Sequence, residues 1–330
     1  MEFKTNLFLK LSKLNKKDLI TLAKKHNLTV DLNGKKDDLV NQLFYIANKT
    51  NTGTYRTPKI NIKKQPIDGQ VYAVQGQRPS MEDTHLIAKL DDCQLYAVFD
   101  GHGGNDTSNL LPDLISKQLL EPLKDVNLRY NQKKLVTHIR NNFITIDNLL
   151  QQSIKDDSGS TATMSLVIGN TIYIINLGDS RTLVFKYPKN KKTPQLVYAS
   201  NDHKPDNPEE TSRIYQAGGF VEKEKGDESR LDGYLAISRS FGDFDLKYSK
   251  KTNEFKGPLS IEPDIKIITK KPEFTYYGII ACDGLWDVMD NKTAIKYIDL
   301  YGIENGAKNL TEIALHKDSS DNVSVITTKL

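Results

Sequence analysis

The chain has 330 residues, 38% hydrophobic and 27% charged, which leaves room for one large domain plus a small module of ordinary globular composition. Its formal charge of +4 is uneven: residues 1–67 hold 14 Lys and Arg against 5 Asp and Glu, a balance of +9, leaving −5 on the rest, as for a basic accessory module joined to an acidic body. No apolar run reaches the roughly 20 residues that cross a bilayer, the start MEFKTNLFLKLSKLNKK has no small-residue cleavage site, and two cysteines make neither a disulfide framework nor a zinc cluster, so a protein of the cytoplasm or nucleus with no membrane partner is expected.

Residues 7–48 predict two short helices, the core of an all-α module over 1–48. Leu11, Leu14, Leu19, Leu22 and Ala23 recur at helical spacing; Asn15 is placed to cap a helix starting at Lys16, with Asp18 in its first turn. After a loop, 37–47 repeats the pattern with Leu39, Val40, Leu43, Phe44 and Ala47 on one face. Residues 49–68 are polar and basic, contain Pro58 and Pro66, and read as a linker. From 69 to 330 the pattern changes to short β-branched or aromatic runs: strands are predicted over 71–74, 95–99, 163–168, 171–176, 183–185, 265–268, 277–281 and 323–328. Helices are predicted over 110–123, 133–154, 209–217, 292–301 and 303–317. Strand pairs with helices grouped between them predict an α+β layered sandwich rather than a parallel βαβ sheet.

Acidic residues gather where these strands stop. The run 95–99 ends in Asp100-Gly101-His102, the run 277–281 in Cys282-Asp283-Gly284 with Asp287 shortly after, and the run 171–176 is followed by Asp179; Asp321-Asn322 precede the last strand, and Glu82-Asp83 lie near the first pair. Asp and Gly stop strands for conformational reasons alone, so one such pair says little. Five acid-bearing strand ends in one domain say more. Converging carboxylates repel unless a cation neutralises them, and an all-oxygen donor set selects a hard ion, Mn²⁺ or Mg²⁺. Two such ions can activate a water and clamp a phosphoryl group for in-line attack.

The strings RPSMEDTH (78–85), VFDGHGG (98–104), SGSTAT (158–163), NLGDSR (176–181), LAISRSFGD (235–243), ACDGLWDVM (281–289) and SSDNVSVI (319–326) together resemble the metal-dependent serine/threonine protein phosphatase family, type 2C, across residues 69–330. The resemblance implies a four-layer α-β-β-α sandwich of two antiparallel sheets flanked by helices, acting on phosphorylated proteins with two metal ions. By the same resemblance Asp100 bridges both metals, the Gly101 carbonyl and Glu82 complete one shell, and Asp83 holds a water there. Asp283 and Asp321 take the other metal, Asp179 and Asp287 a weaker third. Arg78 would grip the substrate phosphate, as a guanidinium fork suits, and His102 would protonate the leaving oxygen.

Other features read as structural. Asp243 in Ser240-Phe241-Gly242-Asp243 reads as a turn residue, and no Gly-rich loop or His-Arg-Asp string accompanies it as in a kinase. Ser158-Gly159-Ser160 reads as packing near the sheet, and Asn322 as a turn-former supporting Asp321. A cysteine phosphatase needs an Arg six residues after its nucleophile, where Phe99 and Val288 stand instead. The stretch 244–257, with Lys247, Lys250, Lys251 and Lys256, reads as a basic flap favouring acidic substrates. The front module resembles a SAP-like helix–loop–helix motif, whose Lys16, Lys17, Lys24, Lys25, Lys35 and Lys36 would contact DNA or RNA phosphates. The rival readings are a protein-docking helical pair at the front and, for the whole chain, a non-catalytic phospho-binding scaffold tethered to nucleic acid. A monomer is expected.

Overall fold

The computed structural model describes residues 14–25, 36, 69–189, 193–223, 226, 228–248 and 257–330. The chain divides into two units, Met1–Pro66 and Ile67–Leu330. In the first, helix α1 (Lys16–Lys25) begins at the predicted cap: Asn15 Oδ1 accepts the Asp18 N–H at 3.0 Å. Leu19 and Ala23, one turn apart, are buried. The predicted second helix over 37–47 and the linker lie outside the described residues.

In chain order the larger unit begins with β1 (Gly69–Val74), β2 (Thr84–Leu90), β3 (Cys93–Phe99) and the short β4 (Gly101–His102). Helices α2 (Asp106–Ile115) and α3 (Gln132–Gln151) precede β5 (Gly159–Ser160), β6 (Ala162–Ile168), β7 (Thr171–Leu177), β8 (Arg181–Pro188) and β9 (Gln195–Ala199). Next come α4 (Pro208–Gln216), β10 (Val221–Lys223), β11 (Ser229–Leu231), β12 (Phe241–Gly242), β13 (Asp264–Thr269) and β14 (Phe274–Ala281). Last are α5 (Asp283–Trp286), α6 (Asn291–Tyr301), α7 (Gly306–His316) and β15 (Val323–Lys329).

Two five-stranded antiparallel sheets form, ordered β1-β15-β14-β8-β9 and β13-β7-β6-β3-β2. Alternate residues of each inner strand feed different layers. Leu95, Ala97 and Phe99 of β3 pack with Leu111, Ile115, Leu135, Ile139 and Phe143 of the helices on one side. Tyr96 and Val98 face the other sheet, meeting a layer that holds Val184, Ile280 and Ile326. On the far side Ile279, Ala281 and Val325 pack with Ala294, Ile298, Leu310 and Ala314 of α6 and α7. This is the four-layer α-β-β-α sandwich that the motifs imply.

The register gathers the acid-bearing strand ends at one rim. Thr84 at the start of β2 pairs with Phe99 at the end of β3, and β3 and β7 both run antiparallel to β6, so they finish on the same side. In the other sheet the end of β14 pairs with the start of β8 and lies beside the start of β15. The turn Gly178–Ser180 joins the two sheets at that same rim, between β7 and β8.

Two full-length strands escape the sequence pattern, β2 and β9. Both are sheet edges with half-buried side chains, but so are β1 and β13, which the pattern predicts. The helix predicted over 110–123 begins earlier, at Asp106, and gives way to a π turn at Ser116–Leu120 and a 3-10 turn at Glu121–Lys124. Pro122, which supplies no amide hydrogen, marks the change to the 3-10 turn, whereas the helix runs on through Pro112. The Ser108 carbonyl, robbed of the residue-112 donor, is taken instead by Thr84 Oγ1 at 2.6 Å, and Ser108 Oγ donates to the Glu82 carbonyl at 2.5 Å. These bonds tie α2 to the segment carrying Glu82 and Asp83. Thr84→Val is therefore expected to lower the unfolding free energy by about 1–3 kcal/mol, the cost of an unsatisfied buried carbonyl. In a Pro112→Ala background, whose restored N–H can serve Ser108, the same change should cost less; urea unfolding of the four proteins in this cycle checks it.

Candidate metal centre

Asp100 stands where β3 ends, at the middle of the rim. Its ligating oxygens lie within 4.8 Å of those of Asp179 and Asp283 on one side, and within 4.8 Å of Asp83 and the Cys282 sulfur on the other. Asp179 closes the β7–β8 turn and Asp283 opens α5 after β14, so three chain segments supply the first group. Asp83 is buried, and among the described residues neither of its carboxylate oxygens has a hydrogen-bond partner. Burial, opposed by the nearby Ser324 hydroxyl and Cys282 thiol and reinforced by the Asp321 charge, pushes Asp83 up to about 6. Burial and then the Asp283, Asp83, Asp179 and Asp321 carboxylates hold Asp100 well above the usual range. Asp283 is raised in the same way, by burial first and then by Asp179, Asp287 and Asp321, with Lys204 opposing.

An orphaned buried carboxylate beside a ring of mutually repelling ones is a donor set that fits hard divalent cations. The backbone agrees. A Cβ at Gly101 would stand 2.4 Å from the Glu82 carbonyl oxygen and 2.7 Å from Ser108 Oγ, so only glycine lets these strands close on the Asp100 loop.

Asp321 lies at the start of β15, where Arg78 Nη2 pairs with it at 2.7 Å and its own Oδ1 accepts the Asn322 N–H at 2.7 Å. Asp321, Glu82 and Asp287 belong to neither cluster: the Glu82 carboxylate accepts the Ser80 hydroxyl at 2.7 Å, and Asp287 is raised by burial, with Lys204 opposing. Asp179, expected with Asp287 at a third metal, lies with Asp100 and Asp283, and its charge is among those that raise Asp287.

His102, on β4, has its Nε2 2.9 Å from both Asp243 oxygens. Burial works against its charge, but the Asp243 carboxylate holds the imidazole above its ordinary value. The three-stranded sheet β12-β5-β4 brings the two together across Gly159, where a Cβ would fall 2.0 Å from Asp243 Oδ2 and 2.4 Å from His102 Nε2.

Several residues escaped the sequence reading. Asp243 is a turn residue, at φ +49°, and also the partner of His102; its motif, shared with the other six, carried that signal. Lys204 Nζ lies 2.5 Å from Asp179 Oδ2, and nothing in its spacing marks it. Asn322 does more than support Asp321: it accepts the Glu82 N–H at 2.8 Å and donates to the Gln75 and Ser80 carbonyls, pinning the Arg78 loop to the rim. Lys247 is no part of a basic flap surface, being buried against Asp147; Lys250, Lys251 and Lys256 lie outside the described residues. In α1, Lys16, Lys17 and Lys24 are exposed; Lys36 is exposed and helical; Lys35 and the Lys25 side chain lie outside the described residues.

A sequence model of the protein phosphatase 2C family matches residues 67–323. The chain belongs to this family. It is 36% identical over 262 residues to the rice (Oryza sativa subsp. japonica) "Probable protein phosphatase 2C 55", covering 76% of this chain and 63% of that one. It is 32% identical over 280 residues to human "Protein phosphatase 1B", covering 77% and 55%. The chain thus spans less than two thirds of the length of either relative. Among solved structures, a serine-threonine phosphatase 2C from Toxoplasma gondii superposes with a TM-score of 0.68 at 26% identity, covering 81% of this chain and 96% of that one. The family match starts at residue 67 and so does not touch the SAP-like reading of the front module. No helix among the described residues is long and apolar enough to cross a membrane.

The raised carboxylates set a pH dependence. In the metal-free protein Asp83, Asp100 and Asp283 keep protons at pH values where the unfolded chain, with its carboxyls near 3.8, has released them. The folded state then binds more protons, so stability falls as pH rises from about 4 through about 6 and beyond. Thermal melts in EDTA should show a lower Tm at pH 8 than at pH 5, and Mn²⁺ should raise Tm more at pH 8.

Proposed function

We propose that this protein hydrolyses phosphoserine and phosphothreonine esters in proteins, using two divalent cations, Mn²⁺ or Mg²⁺. The observation that carries this reading is Asp100 shared between two clusters of candidate ligand atoms, one with Asp83 and the Cys282 sulfur and the other with Asp179 and Asp283. A pair of cations held there would lower the pKa of a water and neutralise phosphoryl oxygens. Asp100 would bind both, Asp83 with Glu82 and the Gly101 carbonyl would serve one, and Asp283 with Asp321 the other. Lys204 balances the Asp179 charge and holds that carboxylate in place.

Arg78 presents a half-exposed guanidinium at the rim; pairing one nitrogen with Asp321 fixes its approach and leaves other donors for the substrate phosphate. As water attacks phosphorus, the bond to the serine or threonine oxygen breaks and that oxygen needs a proton. His102 is built to supply it: Asp243 engages Nε2, favours the imidazolium and leaves Nδ1 for proton transfer.

Asp100→Asn and Asp283→Asn are each expected to reduce Mn²⁺-dependent turnover of a phosphothreonine peptide to background and to weaken Mn²⁺ binding in calorimetry. Wild-type turnover in both would sink the two-metal reading. His102→Ala should lower phosphopeptide turnover by about 10²–10⁴-fold and p-nitrophenyl phosphate turnover far less, since nitrophenolate leaves without a proton. Equal losses on both substrates would make His102 structural.

A further inference from the structure

Lys247 and Asp147 are each 1% exposed, and Lys247 Nζ lies 2.7 and 2.6 Å from the two Asp147 oxygens. Around them the core is apolar, with Phe143, Ile146 and Leu150 of α3 and Phe241 of β12. A buried ion pair is often no more stabilising than apolar side chains of similar volume, so packing alone does not account for this one. Burial acts against both charges, raising Asp147 and lowering Lys247; their mutual contact opposes it, helped by the Gly242 amide at Asp147 and by the Asp243 charge at Lys247.

The pair encloses the corner that carries Asp243. Asp147 Oδ1 also accepts the Gly242 N–H at 2.9 Å, so one carboxylate grips the chain at residue 242 and again at 247. Between these grips Gly242 and Asp243 adopt consecutive left-handed conformations, φ +71° and +49°. The second is costly for a residue with a side chain and persists only when its surroundings hold it. The turn is closed by Leu246 N–H on the Asp243 carbonyl at 3.1 Å and by Lys247 N–H on the Phe244 carbonyl at 3.0 Å. From this corner Asp243 reaches His102 with both oxygens while accepting the Ser240 hydroxyl at 2.5 Å. A shift of about 1 Å at the corner would take both 2.9 Å contacts out of hydrogen-bonding range.

We propose that Asp147 and Lys247 are positioning residues for the His102–Asp243 pair: the buried ion pair sets the left-handed corner that aims Asp243 at His102, and through it the protonation of the leaving group. The kinetic half of this proposal rests on His102 acting as the general acid; the geometric half does not. Neither residue touches the substrate. Asp147 acts through the Gly242 amide, and Lys247 by orienting the Asp147 carboxylate towards it.

The test compares two double variants with wild type and His102→Ala. Asp147→Leu/Lys247→Met removes both charges together, so no buried charge is stranded, and it also removes the acceptor for Gly242. Asp147→Asn/Lys247→Met removes the charges but keeps that acceptor. NMR of the ¹⁵N-histidine-labelled, metal-free protein reads the His102 Nε2–H sheltered by Asp243, assigned by its absence in His102→Ala. The leucine variant should lose this resonance and the asparagine variant keep it. With Mn²⁺, the leucine variant should lose about 10–100-fold in kcat on a phosphothreonine peptide and less than about threefold on p-nitrophenyl phosphate, a partial loss of general acid catalysis. The asparagine variant, which keeps the acceptor but loses the lysine that orients it, should fall between wild type and the leucine variant on the peptide and stay close to wild type on p-nitrophenyl phosphate. Combining the leucine pair with His102→Ala should add little to the loss from His102→Ala alone. A folded leucine variant that keeps the Nε2–H resonance and wild-type substrate preference overturns the proposal. So does one that loses activity equally on both substrates while His102→Ala discriminates between them. If the resonance is lost but even His102→Ala shows no substrate preference, the positioning stands and the general-acid reading is the part that fails.

Discussion

Like-charge repulsion at one rim of the sandwich is the constraint on which the rest depends. Asp83, Asp100, Asp179 and Asp283 come from four separate places along the chain and meet in a partly buried space, where burial and proximity both oppose ionisation. Such an arrangement does not hold itself together. Hydrophobic layers on both faces of each sheet force the strand ends into register, and the folding energy of those layers offsets the electrostatic cost at their edge. The protein carries two partial answers of its own, Lys204 against Asp179 and Arg78 against Asp321. Asp83 and Asp100 have no cationic partner among the described residues, which leaves a carboxylate rim able to hold a metal ion.

Around that rim the polar contacts share a purpose. Asn322 fastens the loop that holds Arg78 and Glu82, and Ser108 and Thr84 fasten α2 to the start of β2. His203 Nδ1 accepts the Gly178 N–H at 3.0 Å and so steadies the turn that presents Asp179. Each bond runs between segments remote in sequence and satisfies a backbone group that regular pairing leaves over, as the Ser108 carbonyl is left over by Pro112. Irregular backbone is where functional side chains are aimed, and irregular backbone needs side-chain partners. The His102–Asp243 pair and the buried Lys247–Asp147 pair behind it follow the same logic one layer further from the carboxylate rim.

Much of the fold was legible along the chain. The inner strands β3, β6, β7, β14 and β15 are buried on both faces, so they appear as dense apolar runs bounded by Asp, Asn and Gly. Helix α3 shows itself through Leu135, Ile139, Phe143, Ile146 and Leu150, which recur at helical spacing. The edge strands β2 and β9 did not appear, although the equally half-buried edge strands β1 and β13 did, so edge position alone did not decide legibility. The acids at the strand ends were legible as candidates for the same reason that the strands were: they interrupt apolar sequence abruptly.

Residue order by itself determined the layered α+β class, the cap at Asn15, the acid-bearing strand ends and, through seven ordered motifs, the family. Those are local or additive signals, and a linear chain carries them intact. Tertiary structure alone decided which acids come together, bringing Asp179 to Asp100 and Asp283. It also turned Asp243 from a turn residue into the partner of His102, and took Lys247 from an expected surface flap into the core. Each of these is a pairing between residues 70 or more positions apart, or a choice among several nearby carboxylates. Such choices follow from sheet register and burial, where an offset of one residue reverses the face on which a side chain lies.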